Sequence, residues 1–171
     1  MDKQGSNLPA LSGNTNYGLK NQMNYNSERS GLESDHMIRY AEETDISILS
    51  EHDKHISKEE LKNSIRLKHI LVLFVDEMFV CWLRYNLFWD NTPFMNMLYV
   101  LEGLRGKGYG KELVTFWENE MRRKGYDRVL TSTLSDEQAQ FFYRKLGYTD
   151  IGALLLPDEP LEIIFLKGLL N

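Results

Sequence analysis

The stretch from Val100 to Gly110, followed at once by Lys-Glu-Leu-Val-Thr-Phe-Trp, constrains this chain more than any other. An apolar run from Met97 to Leu101 reads as a buried strand. Gly106, Gly108 and Gly110 then interrupt it, and a helical period takes over with Leu113, Phe116, Trp117 and Met121. The unit is strand, loop, helix. Glycine has no Cβ, so an anion can reach hydrogen-bonding distance of the main chain, and positive φ angles cost little there. The loop opens into a helix whose first amides lack partners and whose dipole is positive at that end, a setting that suits a pyrophosphate. Arg105 and Lys107 add formal charge.

Spacing separates the phosphate loops that share this logic. A P-loop needs Gly where Arg105 stands and Ser or Thr where Glu112 stands, and the dinucleotide pattern fails because Gly110 comes one position early. Arg-Gly-x-Gly-x-Gly after a strand of the form Leu98-x-Val100 does fit, and here the chain resembles the general N-acetyltransferase (GNAT) superfamily. Members hold the pyrophosphate of acetyl-coenzyme A on such a loop. The resemblance therefore implies acetyl-CoA as cosubstrate, with Arg105, Gly106, Lys107, Gly108, Tyr109, Gly110 and Lys111 around its phosphates.

A chain of 171 residues fits one domain with a substantial core. Its single cysteine, Cys81, cannot form an internal bridge, which suits a reducing cytoplasm. A net charge of -5 gives no general attraction to nucleic acid. The apolar runs fall far short of the roughly 18 to 20 residues that span a bilayer, and no basic-then-apolar signal opens the chain. We expect a cytoplasmic protein without nucleic-acid or membrane partners.

Residues 1–36 are rich in Asn, Gly and Ser, without periodicity, and read as a disordered leader. His36-Met37 is also what a cloning junction leaves, so the leader could be vector-derived, with the domain spanning 37–171. Met37 to Ala41 reads as a strand. Thr44 or Asp45 caps a helix reaching about Ile56, and Ser57 with Glu60 has capping-box spacing for a second helix. Strands Ile70 to Val75 and Met78 to about Phe88 follow, joined at Asp76-Glu77, with a second turn over Asp90 to Pro93. The long helix after the glycine loop ends at Lys124-Gly125. Val129 to Leu134 is a strand, Ser135 with Gln138 a further capping-box signature, and Gly147 the stop of the helix it opens. Segments near 150–156 and 161–166 close the chain as strands. This β-α-α-β-β-β-α-β-α-β-β order is that of the family. It implies an α/β (α+β) GNAT fold: a mixed, mostly antiparallel central sheet of six to seven strands, about four flanking helices, and a splay at the acetyl-CoA site.

A second stretch, Ser135-Asp-Glu-Gln-Ala-Gln-Phe-Phe-Tyr-Arg-Lys-Leu-Gly-Tyr148, is similar to the family's N-x-x-A-x-x-F-Y-x-K-L-G-F segment. By resemblance Tyr143 lies near the coenzyme sulfur as general acid, with Ala139 beside it. Asp136 stands where the family has Asn, and a carboxylate can accept but not donate a hydrogen bond. The strand before the loop must leave one backbone edge free to pair with pantetheine, as a peptide adds to a sheet. The resemblance implies that Val100 N–H faces the thioester carbonyl and stabilises the oxyanion, with Leu98 and Tyr99 beside it and Leu101 sharing the pantetheine contact.

An amine with a pKa near 10.4 costs roughly 4 to 5 kcal/mol to deliver as free base at neutral pH, so a base or a water chain must take its proton. Glu102, Asp90 and Glu162 are the carboxylates on offer, while Thr131 or Ser132 stands where some members carry a catalytic Glu. Trp89 and Asp90 could line an acceptor pocket for a cationic amine. His52, Asp53 and His55 lack the further ligands a metal site needs, so we expect no metal, and Cys81 reads as packing. The expected function is direct acetyl transfer to a primary amine in a ternary complex, with a small-molecule acceptor favoured over protein and a homodimer left open. The alternative is a GNAT-fold acyl-CoA-binding module without catalysis that acts through a partner.

Overall fold

A computed structural model describes residues 34–170. The expected leader lies almost wholly outside them. Ordered pairing begins just before Met37: Asp35 and Asp76 exchange hydrogen bonds of 2.8 and 2.9 Å, and strand β1 (His36–Tyr40) starts one residue earlier than the sequence suggested.

The remaining elements are α1 (Ile46–His52), α2 (Lys58–Arg66), β2 (Ile70–Val75), β3 (Met78–Phe88), β4 (Thr92–Val100), α3 (Tyr109–Arg123), β5 (Arg128–Leu134), α4 (Ala139–Lys145), β6 (Thr149–Leu154) and β7 (Glu162–Gly168). They form one seven-stranded sheet in the order β1-β2-β3-β4-β5-β7-β6. Neighbours are antiparallel except β4 and β5, which run parallel. The expected element order and mixed sheet are both present.

Period-two alternation explains why both faces of the sheet are covered. Leu71, Leu73 and Val75 of β2 pack with Leu113, Val114, Trp117 and Met121 of α3 on one face. Ile70 and Val72 pack with Leu49 of α1 and Leu61 and Ile65 of α2 on the other. Each large apolar side chain so enclosed contributes roughly 1.5–3 kcal/mol.

Local chemistry sets most element ends. Ser57 Oγ accepts the Glu60 N–H at 3.2 Å and starts α2, as its spacing predicts. Gly125, at φ 91°, and Gly147, at φ 89°, stop α3 and α4. Beyond shifts of one or two residues at strand ends, three boundaries differ from the sequence reading. Helix α1 ends at His52 rather than near Ile56, because Asp53 turns extended and its carboxylate is drawn to Arg84. The β3–β4 turn is Trp89-Asp90, both at left-handed φ (51° and 63°), and Pro93 lies inside β4 opposite Leu87, before β5 pairing begins at Phe94. Ser135 does not cap a helix. Its N–H extends the ladder to the Leu161 carbonyl, its own carbonyl takes Gln140 Nε2, and α4 starts only at Ala139.

Candidate active site

The register between β4 and β5 has two rungs, Phe94 with Leu130 and Met95 with Thr131, and stops there. Beyond Met95, strand β4 stays paired with β3 through Val100 with Cys81 and parts from β5. A bulge opposite Arg84 and Tyr85 marks the divergence: Met97 pairs with Arg84 and Met95 with Tyr85, leaving Asn96 extra.

Which amides face the gap follows from one hydrogen bond. Leu101 N–H donates to Val80 carbonyl at 3.0 Å, so it points toward β3. Backbone direction alternates along a strand, so Tyr99 points the same way, while Leu98 and Val100 turn their N–H groups outward to the gap. The Val100 carbonyl lies on that side too, taking Arg105 Nε at 3.1 Å.

A cleft of about 410 Å³ occupies this gap, lined by Leu98 to Val100, the loop and first turn of α3, and Ala139, Phe142 and Tyr143 of α4. Gly106 and Gly108 hold φ of 78° and 95°. Gly110 is helical instead; its role is space, since a Cβ there would meet Val100 Cγ2 at 3.4 Å and Phe142 at 3.7 Å. Among the described residues, no main-chain N–H from 105 to 110 donates within the protein. A row of free donors at the start of α3 is what a diphosphate requires. Lys111 lines the cleft, and Arg105 folds back over the Tyr99 ring at 5.0 Å.

Tyr143 sits over the last β4–β5 rung. Burial pushes its hydroxyl up to about 12, hydrogen bonding with Thr131 pulls it down, and Glu137 adds a smaller upward push. Thr131 donates its hydroxyl to the Met95 carbonyl at 3.0 Å, at the point of divergence.

Most residues expected around the cofactor are therefore together. Leu101 is not among them, because its amide serves Val80 and its side chain packs on the α1–α2 face. Lys107 and Asp136 are exposed and outside the cleft lining. Glu102 is exposed beyond the end of β4. Trp89 and Asp90 lie at the opposite end of β4, about 26 Å along the strand from Val100, with Trp89 78% exposed. Leu104 and Phe142 line the cleft although the sequence reading gave them no role; Phe142, i−1 to Tyr143, was legible only as an aromatic on a helix face. His52 stacks near Phe79 and Trp82 while Asp53 pairs with Arg84, so the His-Asp-His cluster is dispersed. Among the described residues, no group of His, Cys, Asp and Glu could hold a metal ion, and no helix is long and apolar enough to cross a membrane. Burial pushes the Cys81 thiol up to about 12, with a smaller push from Glu112.

A glycine loop opening a helix beside a splayed β4–β5 pair, with a tyrosine over the last rung, defines a class of acyltransferase fold. The acetyltransferase (GNAT) family profile matches residues 35–148, more than half of the chain, and the chain belongs to that family. Among curated proteins none matches it in sequence. Solved structures share the fold at low identity. Ard1 from Thermoplasma volcanium superposes with TM-score 0.69 at 17% identity, covering 80% of this chain and 99% of its own. The ribosomal-protein-S18-alanine N-acetyltransferase of Escherichia coli gives 0.65 at 14%, covering 78% and 94%. The yncA structure from Salmonella typhimurium, solved with its cofactor acetyl-CoA, gives 0.63 at 17%, covering 78% and 94%.

Proposed function

We propose that this protein is an acetyl-CoA-dependent N-acetyltransferase that acetylates a primary amine by direct attack within a ternary complex. The observation that carries it is the gap beyond the Met95–Thr131 rung, edged by outward amides of Leu98 and Val100 and continuous with the free N–H row of the glycine loop. Bound there, acetyl-CoA supplies a thioester whose carbonyl carbon the amine attacks. Val100 N–H stabilises the oxyanion, and the same orientation at Leu98 makes that amide an equivalent donor. The C–N bond forms, the C–S bond breaks, and the amine proton leaves through solvent, since no carboxylate lines the cleft.

Tyr143 has a narrower role than full proton donor. Its hydroxyl, pushed up to about 12, is a weaker acid than a thiol near 8.5, so it stabilises the departing sulfur by hydrogen bonding rather than by complete transfer. A reducing compartment such as the cytoplasm suits the lone buried thiol. The reading is tested by calorimetry with coenzyme A and by thiol release from acetyl-CoA across a panel of amines. Amine-dependent release supports it, tight binding without turnover favours a binding module, and absence of coenzyme binding sinks both.

A further inference from the structure

Strand β6 lies at the outer edge of the sheet: β7 pairs with it on one side, and among the described residues no strand pairs with the other. All six of its residues are exposed, and the exposure continues through Leu155 and Leu156, so an open strip reads Thr-Asp-Ile-Gly-Ala-Leu-Leu-Leu from 149 to 156. Leu155 is 85% exposed. Leu161 at the far side of the hairpin turn and Phe141 on α4 are exposed beside it. Half of the twelve large apolar side chains exposed among the described residues thus fall between 141 and 161, and a concentration of that kind marks a contact surface.

Charge decides what can cover the strip. Open strand edges are normally defended by charged side chains, proline or a bulge. At the other edge of the sheet β1 carries His36 and Arg39. In β6 the one charged residue is Asp150, and Arg144 neutralises it with two hydrogen bonds, Nε to Oδ1 at 3.0 Å and Nη2 to Oδ2 at 2.7 Å. A bulge at Ile151 is the only such device in the strand, and the side chain it re-aims is an exposed apolar one. From Ile151 to Leu156 no residue is charged, and Pro157 comes only after the strip has ended.

We propose that this strip binds a second copy of the chain, with β6 pairing antiparallel to its counterpart so that two seven-stranded sheets join edge to edge. A two-fold contact sets the strip against itself, so any uncompensated charge would meet its own copy. The strip carries none, although the whole chain has a net charge of -5. A partner of another kind would be selected by a charge or polar pattern, and the strip offers only main-chain groups and apolar side chains. Gly152 and Ala153 keep its middle low, with Ile151 on one side and three leucines on the other. Eight residues span roughly 27 Å, and with side chains on both faces the footprint is on the order of 500 Å² per copy. A total near ~1,000 Å² is the lower limit of a specific interface, which places the dissociation constant at about 1–100 μM. The contact is independent of the acyl-transfer reading.

The test is sedimentation velocity of the full chain from about 1 to 300 μM, a range that brackets the expected constant. A monomer–dimer equilibrium is expected, and hydrogen exchange of the amides from 149 to 154 should slow as the dimer fills. Leu154→Lys sets like charges against each other and should weaken the dimer at least about tenfold, as should Leu154→Glu. Mixing these two variants should restore association, because the lysine strip then meets the glutamate strip. Leu67→Lys, at an exposed leucine remote from β6, should leave the constant unchanged, and thermal melts confirm that all three variants are folded. A monomer throughout the range, a dimer untouched by Leu154→Lys, or a mixture that associates no better than its components overturns the proposal. So does protection of the β6 amides that does not depend on concentration, which would assign the strip to another segment of the same chain.

Discussion

On the α3 side of the β4–β5 gap the walls are main-chain amides, glycines and apolar side chains, with Arg105 and Lys111 as the cations of the lining among the described residues. On the α2 side carboxamides, a serine, an acid, a histidine and a part-buried arginine held by a buried aspartate stand beside Ile56, Leu67 and Tyr85. The first side presents backbone shape, which many sequences can supply provided glycine stands where φ is positive. The second presents side-chain chemistry held in place by a long-range ion pair.

Substitutions can break this division. The largest effect is expected from Asp53→Ala, which leaves the part-buried Arg84 without its counter-charge and costs about 3 kcal/mol in urea unfolding. It disturbs the α2 side, and coenzyme A affinity of the folded fraction should be retained. Tyr143→Phe acts on the other side. It should lower kcat about 100-fold, some 2.7 kcal/mol, with KM for acetyl-CoA nearly unchanged.

Gly108→Val forces a β-branched residue to φ 95°, at a cost of about 1–3 kcal/mol that falls on the coenzyme loop. No neighbour lies within 4 Å of a Cβ there, so crowding inside the protein adds nothing, and coenzyme A affinity should drop about tenfold or more by calorimetry. Ser57→Ala, removing the α2 cap, should cost about 1 kcal/mol of stability and shift neither ligand's affinity.

The pH dependence sharpens the role of Tyr143. Burial raises its folded pKa to about 12 from an unfolded value near 10, so its contribution to stability is complete below about 10 and is lost as pH rises through 12. The same shift keeps it protonated through the working range. The pH–rate profile should rise with the free-amine fraction and show no descending limb below about pH 10. A descending limb near pH 8 that disappears in Tyr143→Phe would contradict the buried-hydroxyl account.

Legibility in the sequence followed the same division. Gly106 and Gly108 stand at positive φ on a strand-loop-helix unit, and Tyr143 stands in a seven-residue helix stopped by Gly147, so each is set by local backbone requirements that spacing records, whereas Gly110 keeps space against Phe142, a contact only the fold creates. Arg84 and Asp53 are 31 positions apart, and Asn96 is a bulge only because β3 and β4 slip register there; no local pattern marks either. Trp89 and Asp90 show the converse error. They have the composition of a pocket wall, but their left-handed turn places them at the far end of the hairpin.

The sequence by itself determined the element order, the glycine loop that opens α3 and the helix that carries the tyrosine, because hydrophobic period, capping and glycine φ act within a few residues. Only the tertiary structure decided where β4 leaves β5, which amides turn outward and which side chains share the α2 groove. Those depend on strand register and on pairing between distant segments, where the free energy lies in contacts that no stretch of sequence contains alone.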